Sequence, residues 1–166
     1  MPEDVPEDSG EFEKPPAFFP YEESSPIDHH PGDYGEPVEV QVEAVFMAQS
    51  GEQIQRFVLL SDGERKLPIL IGPFEATSIT LALEGQQPDR PLTHDLTRNI
   101  IDKLEGNIDR IVIDDLWGST YYAKIYIRRG EEEVEIDSRP SDAIALAVRF
   151  EAPIYVADGI LEQSSN

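Results

Sequence analysis

The chain has 166 residues, which is enough for one domain of ordinary size together with a tail. It contains no cysteine, so disulfide bonds, thiolate metal sites and a cysteine nucleophile are excluded. Its formal net charge of -21 at pH 7 argues against the broad basic face with which many proteins hold nucleic acid.

Residues 1–37 contain eight of the fourteen prolines and no apolar periodicity. Eleven acidic residues lie between Met1 and Glu36, against Lys14 as the one basic residue. Such a segment cannot bury enough apolar surface to offset the entropy of ordering it, which predicts a disordered acidic tail. The acidic start is unlike a secretory signal peptide, and no apolar run approaches the roughly 20 residues that span a bilayer. We therefore expect a cytoplasmic protein without a membrane partner.

Alternation of apolar and polar residues begins at Val38 and predicts seven strands and three helices. The predicted strands are 38–48, 54–62, 67–72, 107–118, 120–129, 131–138 and 152–158. The predicted helices are 73–85, 93–106 and 140–150. This order predicts an α+β domain over residues 38–160, with a mainly antiparallel sheet and three helices. Residues 161–166 are expected to form a disordered C-terminus.

The three helices differ in their apolar pattern. The second carries one apolar stripe, made of Leu96, Ile100 and Leu104. The third is small or apolar at every position from 143 to 148, which predicts burial on nearly all sides. In the strand that precedes it, alternation predicts that Val134 and Ile136 face inward.

Two segments of the chain that lie 67 residues apart resemble each other, "GERKLPILIGPFEA" and "GEEEVEIDSRPSDA". Pro73 falls on Pro140 and Glu75 on Asp142, so each hairpin feeds a helix with a proline and an acid in its first turn. This similarity suggests an internal duplication of a hairpin–helix unit. It predicts two similar strand-to-helix corners, each presenting a carboxylate.

The stretch "DSRPSDAIALAVRF" holds the first group of candidate site residues. Pro140 suits the first helical position, which places Asp142 where the helix dipole favours a carboxylate by ~0.3–1 kcal/mol. Asp137 faces outward on the strand, so each acid has a purely local explanation. Two carboxylates near one corner, however, repel each other unless a proton, an arginine or a divalent cation lies between them. The residues therefore leave open an arginine, here Arg139, or an oxygen-ligated Mg²⁺ or Mn²⁺.

A second group lies in "RPLTHDLTRN" at the start of the second helix. His94 can act as a general base or as a metal ligand, because imidazole exchanges a proton near neutral pH. Its neighbour Asp95 points in another direction, whereas Arg98 shares its helix face. The alternative interpretation is a surface histidine at a helix start.

These motifs together resemble the bifunctional nuclease domain family of bacteria and plants. The segments that carry the resemblance are "LPILIGPFEATSITLALEG", "RPLTHDL", "YYAKIYI", "IDSRPSDAIALAVRF" and "PIYV", in order across about residues 38–158. The resemblance implies a compact α+β domain that self-associates and degrades DNA and RNA. The family's motif acids and bases fall here on Glu75, Arg90, His94, Asp95, Asp137, Arg139 and Asp142.

Our first hypothesis is therefore a nuclease that hydrolyses phosphodiester bonds with the help of Mg²⁺ or Mn²⁺. The predicted metal ligands are Glu75, Asp137 and Asp142. The predicted catalytic residues are His94, Asp95, Arg139 and Asp142, and the predicted substrate ligands are Arg90, Arg98 and Arg139. Our second hypothesis, favoured by the acidity of the folded part, is a non-catalytic oligomeric module that binds a small ligand or a protein partner.

Overall fold

The computed structural model describes residues 32–164, which form eleven elements. The strands are β1 Pro37–Ser50, β2 Gln53–Ser61, β3 Lys66–Ile71, β4 Asn107–Trp117, β5 Thr120–Arg129, β6 Glu132–Ser138 and β7 Ile154–Ala157. The helices are α1 Pro73–Leu83, α2 Thr93–Lys103, α3 Pro140–Phe150 and α4 Asp158–Ser164. All seven predicted strands and all three predicted helices are present, and α4 is an addition.

The strands form one sheet in the order β3-β2-β1-β7-β4-β5-β6. Neighbouring strands are antiparallel, except that β4 and β7 run parallel. The predicted α+β class is confirmed, but the sheet is mixed. Parallel neighbours need a long crossover connection, and here α3 belongs to the crossover that returns the chain to β7 in the middle of the sheet.

The strand order is symmetric about β7, with one three-stranded antiparallel meander on each side. Each meander leads into a helix that begins with proline, α1 at Pro73 and α3 at Pro140. These two helices pack against each other. The arrangement agrees with the internal duplication suggested by the sequence, and it places the two predicted corners side by side.

The centre of the domain is apolar, and α3 is its most buried helix. Five consecutive residues of α3 are 0–5% exposed: Ala143, Ile144, Ala145, Leu146 and Ala147. The predicted burial of this helix is therefore confirmed. Fully burying one large aliphatic side chain stabilises the fold by about 1.5–3 kcal/mol, so α3 is a rigid support for the side chains at its start.

The apolar stripe of α2 and the two residues of β6 that are predicted to face inward are both exposed. In α2, Leu96, Ile100 and Leu104 are 51%, 50% and 63% exposed. In β6, Val134 and Ile136 pair with core-lining residues of β5, but they remain 50% and 42% exposed because β6 is the edge strand. The predicted inward orientation therefore does not bury Val134 and Ile136.

Both boundaries of the domain differ from the prediction. At the C-terminal end, the helix α4 runs to Ser164 and buries Ile160 and Leu161, although the sequence places a disordered end from residue 161. A helix this short is held by packing rather than by intrinsic propensity, which explains why its sequence signal is weak. Within residues 32–164, no helix is long and apolar enough to cross a membrane.

At the N-terminal end, residues 32–36 are held to the domain by hydrogen bonds around the half-buried Tyr34, although the predicted tail includes them. The Tyr34 hydroxyl donates to the carbonyl of Leu116 at 2.7 Å, and the Gly159 N–H donates to the carbonyl of Tyr34 at 2.7 Å. Backbone hydrogen bonds to distant residues leave no period in the sequence, so this anchoring was not predictable. The rest of the predicted tail, residues 1–31, and residues 165–166 lie outside the described part.

Candidate functional site

Three helix starts carry the candidate site. Glu75 and Asp142 occupy the third position of α1 and α3, and His94 is the second residue of α2. In both corners the proline at the first position begins the helix, because its missing N–H has no partner in the first turn anyway. The side chains of these three residues meet because α1 and α2 both pack against α3.

An arginine lies between the two corner carboxylates. Arg139 Nε donates to Asp142 Oδ2 at 2.7 Å, and its Nη2 donates to Asp142 Oδ1 at 3.1 Å and to Glu75 Oε1 at 3.2 Å. The sequence left open an arginine or a divalent cation between Asp137 and Asp142. In the described geometry the arginine is present, but the second carboxylate that it contacts is Glu75 instead of Asp137.

At this corner, Arg139 and Asp142 each stabilise the ionised form of the other. Burial raises the pKa of Asp142, but hydrogen bonds from Arg139 and His94 outweigh it, so the pKa lies below its ordinary value. The hydrogen bonds to Asp142 in turn raise the pKa of Arg139. Asp142 is therefore an anion and Arg139 a cation at every physiological pH.

His94 connects Asp142 to a buried serine of α1. Its Nε2 lies 2.8 Å from Asp142 Oδ1, and its Nδ1 lies 2.7 Å from Ser78 Oγ. A carboxylate only accepts, so Nε2 carries a hydrogen, and in the neutral ring Nδ1 then accepts the hydroxyl hydrogen of Ser78. Asp142, His94 and Ser78 thus form a carboxylate–imidazole–hydroxyl chain, with the His94 side chain 13% exposed.

Arg149 of α3 binds the buried end of this series of hydrogen bonds, at Ser78. Its side chain is 5% exposed, and its Nη2 donates to the hydroxyl and the carbonyl of Ser78 at 3.0 and 3.2 Å. Its Nε donates to Asp95 Oδ1 at 2.7 Å, and its Nη1 donates to the carbonyl of Ala145 at 2.9 Å. In the described residues, every buried side-chain nitrogen and oxygen has a hydrogen-bond partner. The network is therefore complete, which favours a rigid arrangement.

The network opens into a cavity of about 330 Å³, which we call the helix-start cavity. Its lining consists of Phe74, Glu75, Thr77, Ser78, Leu92, Thr93, His94, Arg139 and Asp142. Arg139 is the most accessible charged group of the network, with 67% of its side chain exposed. Its Nη1 has no hydrogen-bond partner within residues 32–164, so two N–H groups remain for a ligand.

The predicted metal ligands do not come together in this arrangement. Glu75 and Asp142 are near each other, but Arg139 occupies the space between them. Asp137 is exposed in β6 opposite Lys124, and its carboxylate makes no hydrogen bond or ion pair with any described residue. Between residues 32 and 164, no three histidine or acidic side chains are placed to share one metal ion. As it stands, this donor set does not fit Mg²⁺ or Mn²⁺.

Three further predicted residues lie at the edge of the network or outside it. Asp95 points away from His94, as predicted, and accepts from Arg149 and from the Leu92 N–H at 2.9 Å. Burial raises the pKa of Asp95, but these two hydrogen bonds lower it by a larger amount, so the pKa lies below its ordinary value. Asp95 is therefore an anion with a structural role. Arg98 pairs with Asp102 at 3.6 Å, and Arg90 is exposed without an ion pair to the described residues.

Ser78 and Arg149 are the two network residues that sequence reasoning missed. Ser78 stands between two threonines in "EATSITLAL", whereas Arg149 ends an otherwise apolar stretch in "AIALAVRF". An arginine within a helix that is predicted to be buried on all sides must find partners, because an unpaired buried charge is costly. That conflict was visible in the sequence and is the signal that could have identified it.

Comparison with known proteins identifies the family of this chain. The model of the bifunctional nuclease domain matches residues 58–166, a range that contains the whole network. An uncharacterised protein of Mycobacterium tuberculosis is 38% identical over 126 residues, which cover 76% of this chain and 75% of the relative. The chain belongs to the bifunctional nuclease domain family.

More distant members of this family carry its name. Bifunctional nuclease 2 of Arabidopsis thaliana is 29% identical over 93 residues, or 54% of this chain and 28% of the plant protein. Bifunctional nuclease 2 of Oryza sativa subsp. japonica is 29% identical over 112 residues, or 65% of this chain and 34% of that protein. The matches to the plant proteins thus cover about a third of their length.

Proposed function

We propose that this bifunctional nuclease domain hydrolyses phosphodiester bonds of DNA or RNA in the helix-start cavity. The observation that carries the proposal is the contact of Arg139 with both Glu75 and Asp142 at the mouth of a cavity that also contains His94. A phosphate needs a fixed cation, and hydrolysis needs groups that move protons. The family name of the plant relatives supports the choice of nucleic acid as the substrate.

In this proposal Arg139 binds the phosphate through its free Nη1 and neutralises charge that develops in the transition state. The contact to Glu75 at 3.2 Å is longer than the contact to Asp142 at 2.7 Å, so the phosphate displaces Glu75 first. The freed carboxylate can then accept a proton from the attacking water. His94, once protonated, holds a hydrogen on each ring nitrogen and can donate one to the leaving oxygen.

Asp142 and Ser78 act on His94 rather than on the phosphate. They hold the imidazole between two hydrogen bonds of 2.8 and 2.7 Å, which fix the orientation of its ring. Because both ring nitrogens are occupied, one of these hydrogen bonds must open before His94 exchanges a proton with the substrate. No step in this scheme passes through a metal, and a requirement for Mg²⁺ or Mn²⁺ stays a prediction.

The test is a nuclease assay on single-stranded and duplex DNA and RNA, with Mg²⁺, with Mn²⁺ and with EDTA. We expect Asp142→Asn to lower kcat/KM about 10²- to 10⁴-fold, because it removes the anion that holds His94, and a positioned acid–base group contributes a factor in this range. The matched control is Asp102→Asn, which neutralises a half-exposed carboxylate of α2 away from the cavity. Both variants are purified in the same way, so that a contaminating nuclease contributes equally to each.

The same assay distinguishes the nuclease from the second candidate function, a non-catalytic oligomeric module. That function is favoured by the exposed apolar side chains of α2, Leu96, Ile100 and Leu104, which a partner chain would cover. It predicts equal cleavage by Asp142→Asn and Asp102→Asn, together with a stable oligomer in light scattering. Equal cleavage by the two variants would therefore refute the proposed nuclease site.

A further inference from the structure

One aromatic side chain stands unusually far out of the domain beside the candidate site. Phe74 is the second residue of α1 and is 85% exposed, the most exposed of the large apolar side chains within residues 32–164. It lines the helix-start cavity together with His94 and Arg139. Its neighbours in sequence, Pro73 and Glu75, are explained by the helix start. Packing against the domain does not explain why a large aromatic side chain occupies position 74.

A groove of about 620 Å³ continues from the other side of Arg139. It shares Glu75 and Arg139 with the helix-start cavity, so the two hollows are contiguous at these side chains. Among its lining residues are Arg56, Tyr121 and the polar side chains Gln53, Gln55, Ser119 and Thr120. The two hollows therefore form one path that runs from Phe74 past Arg139 to Arg56.

No contact within the described part of the domain explains why an arginine occupies position 56. It is half-buried in β2 and lines the groove, yet its guanidinium makes no hydrogen bond or ion pair with any residue between 32 and 164. A partly buried guanidinium gives up part of its hydration and normally recovers it through an anion. An arginine that faces a groove without such a partner indicates an anionic ligand.

The charge of the groove differs from that of the chain as a whole. Its charged lining residues are Arg56, Arg139 and Glu75, so it is net positive in a chain of net charge -21. A hollow of about 510 Å³ elsewhere in the domain is lined by Glu39, Glu43 and Asp62, with no basic residue among its lining. An anion is therefore attracted to the groove and repelled from the other hollow.

We propose that the occupant of this path is a single strand of nucleic acid, with Phe74 stacking on one base and Arg139 and Arg56 binding phosphates on its backbone. The proposal rests on the nuclease function proposed above and names its substrate class. A base in a duplex is already stacked on its neighbours, whereas an unpaired base offers its face to an exposed aromatic ring. The net negative charge of the chain also disfavours a duplex, which carries two phosphates for each one of a single strand.

The first test measures binding to a fluorescein-labelled oligonucleotide with phosphorothioate linkages, which resist hydrolysis. Anisotropy is recorded for the single strand and for the same strand annealed to its complement. We expect the wild-type protein to bind the single strand at least about tenfold more tightly. Phe74→Ala is expected to weaken that binding roughly 5- to 150-fold, the effect of losing one stacked base.

Two further substitutions at the same position separate stacking from general apolar contact. Phe74→Trp keeps an aromatic face and should retain the affinity for the single strand. Phe74→Leu keeps an apolar side chain without an aromatic face and should lose affinity like Phe74→Ala. The control is Met47→Ala, since Met47 is 68% exposed on β1 and lines neither hollow.

Arg56 is tested through the salt dependence of binding. Losing one phosphate contact to a single strand should reduce the slope of log K against log salt by about 0.7. We expect this change for Arg56→Ala and no change for Arg129→Ala. Arg129 is an exposed arginine at the end of β5 that lines neither hollow.

The outcomes separate this inference from the proposed function. Cleavage that depends on Asp142, combined with equal binding of single strand and duplex and no effect of Phe74→Ala, would overturn the inference and leave the nuclease intact. Single-strand binding that depends on Phe74, without any cleavage, would support the inference and overturn the nuclease. If Phe74→Ala instead dissolves an oligomer in light scattering and leaves oligonucleotide binding unchanged, Phe74 serves a protein contact and the inference is wrong.

Discussion

The two hairpin–helix units share a backbone plan but contribute different parts to the candidate site. Both units carry an acid at the third position of the helix, Glu75 in α1 and Asp142 in α3. The cation between these acids comes from one unit alone, because Arg139 stands before α3 where Gly72 stands before α1. A symmetric framework therefore produces an asymmetric site with a single, shared guanidinium.

The two units also differ at equivalent positions further along α1 and α3. At the spacing of 67 residues, Ser78 of α1 corresponds to Ala145 of α3, and Ala82 of α1 corresponds to Arg149 of α3. The unit that supplies the hydroxyl lacks the arginine, and the unit that supplies the arginine lacks the hydroxyl. Their contact, Arg149 to Ser78 at 3.0 Å, links the two units across the helix pair. Equivalent positions have become complementary, so neither unit forms the network alone.

The largest expected effect of breaking this complementarity is at Arg149. Arg149→Met keeps most of the apolar stem but leaves the carboxylate of Asp95 and the hydroxyl of Ser78 without their cationic partner. We expect the free energy of unfolding to fall by about 3–5 kcal/mol, as when one member of a buried charge pair is removed. Urea denaturation at neutral pH measures this change.

The control for Arg149 is Arg98→Met in α2. Arg98 has a half-exposed side chain and a long ion pair of 3.6 Å to Asp102, so its replacement should cost less than about 1 kcal/mol. A similar loss for both variants would contradict the idea that Arg149 joins the two units.

A smaller effect is expected at Ser78. Ser78→Ala makes α1 resemble α3 at this position, and it leaves His94 Nδ1 and one Arg149 N–H without a partner. Buried groups that lose a partner cost about 1–3 kcal/mol. NMR of ¹⁵N-labelled protein gives a second readout, because the wild-type neutral imidazole should carry its hydrogen on Nε2 alone.

The control for Ser78 is the neighbouring Thr77→Ala, which removes an exposed hydroxyl that bonds only to the carbonyl of Pro73 at 3.0 Å. This variant should leave the ¹⁵N signals of His94 unchanged. If the wild-type ring proves to be protonated on Nδ1 while neutral, the assigned hydrogen-bond direction is wrong.

The smallest effect on stability is expected at Gly72. A Cβ at this position would collide with the carboxylate of Glu75, although the φ angle of -75° suits any residue. Gly72→Ala should therefore move Glu75 away from Arg139 while changing the free energy of unfolding by less than about 0.5 kcal/mol. We expect lower nuclease activity at nearly constant stability. Unchanged activity would show that Glu75 is not needed where it now lies.

Much of the fold could be predicted because its signals are local. Alternation over short segments identified all seven strands, and proline at the first helical position marked the starts of α1 and α3. The parallel pair of β4 and β7, the anchoring of Tyr34 and the helix α4 depend on contacts between distant parts of the chain. These features have no period in the sequence and appear only when the sheet is assembled.

The candidate site was predicted in part, for the same reason. The corner carboxylates Glu75 and Asp142 were visible as helix-start acids, and Arg139 was recognised between Asp137 and Asp142. Asp137 was grouped with them because it is near in sequence, but strand alternation turns it to the exposed side opposite Lys124. Ser78 was overlooked because a single hydroxyl in a helix has many ordinary explanations.

The sequence by itself determined the family, the order of the elements, the burial of α3 and the carboxylate in each helix start, since all of these follow from local patterns. Only the tertiary structure decided what each charged group contacts. His94 meets Asp142 across 48 residues of sequence and Ser78 across 16, and Arg139 meets Glu75 across 64. Such partners are chosen by the order of strands in the sheet and the packing of α1 and α2 on α3, because a hydrogen bond depends on distance in space and not on distance along the chain.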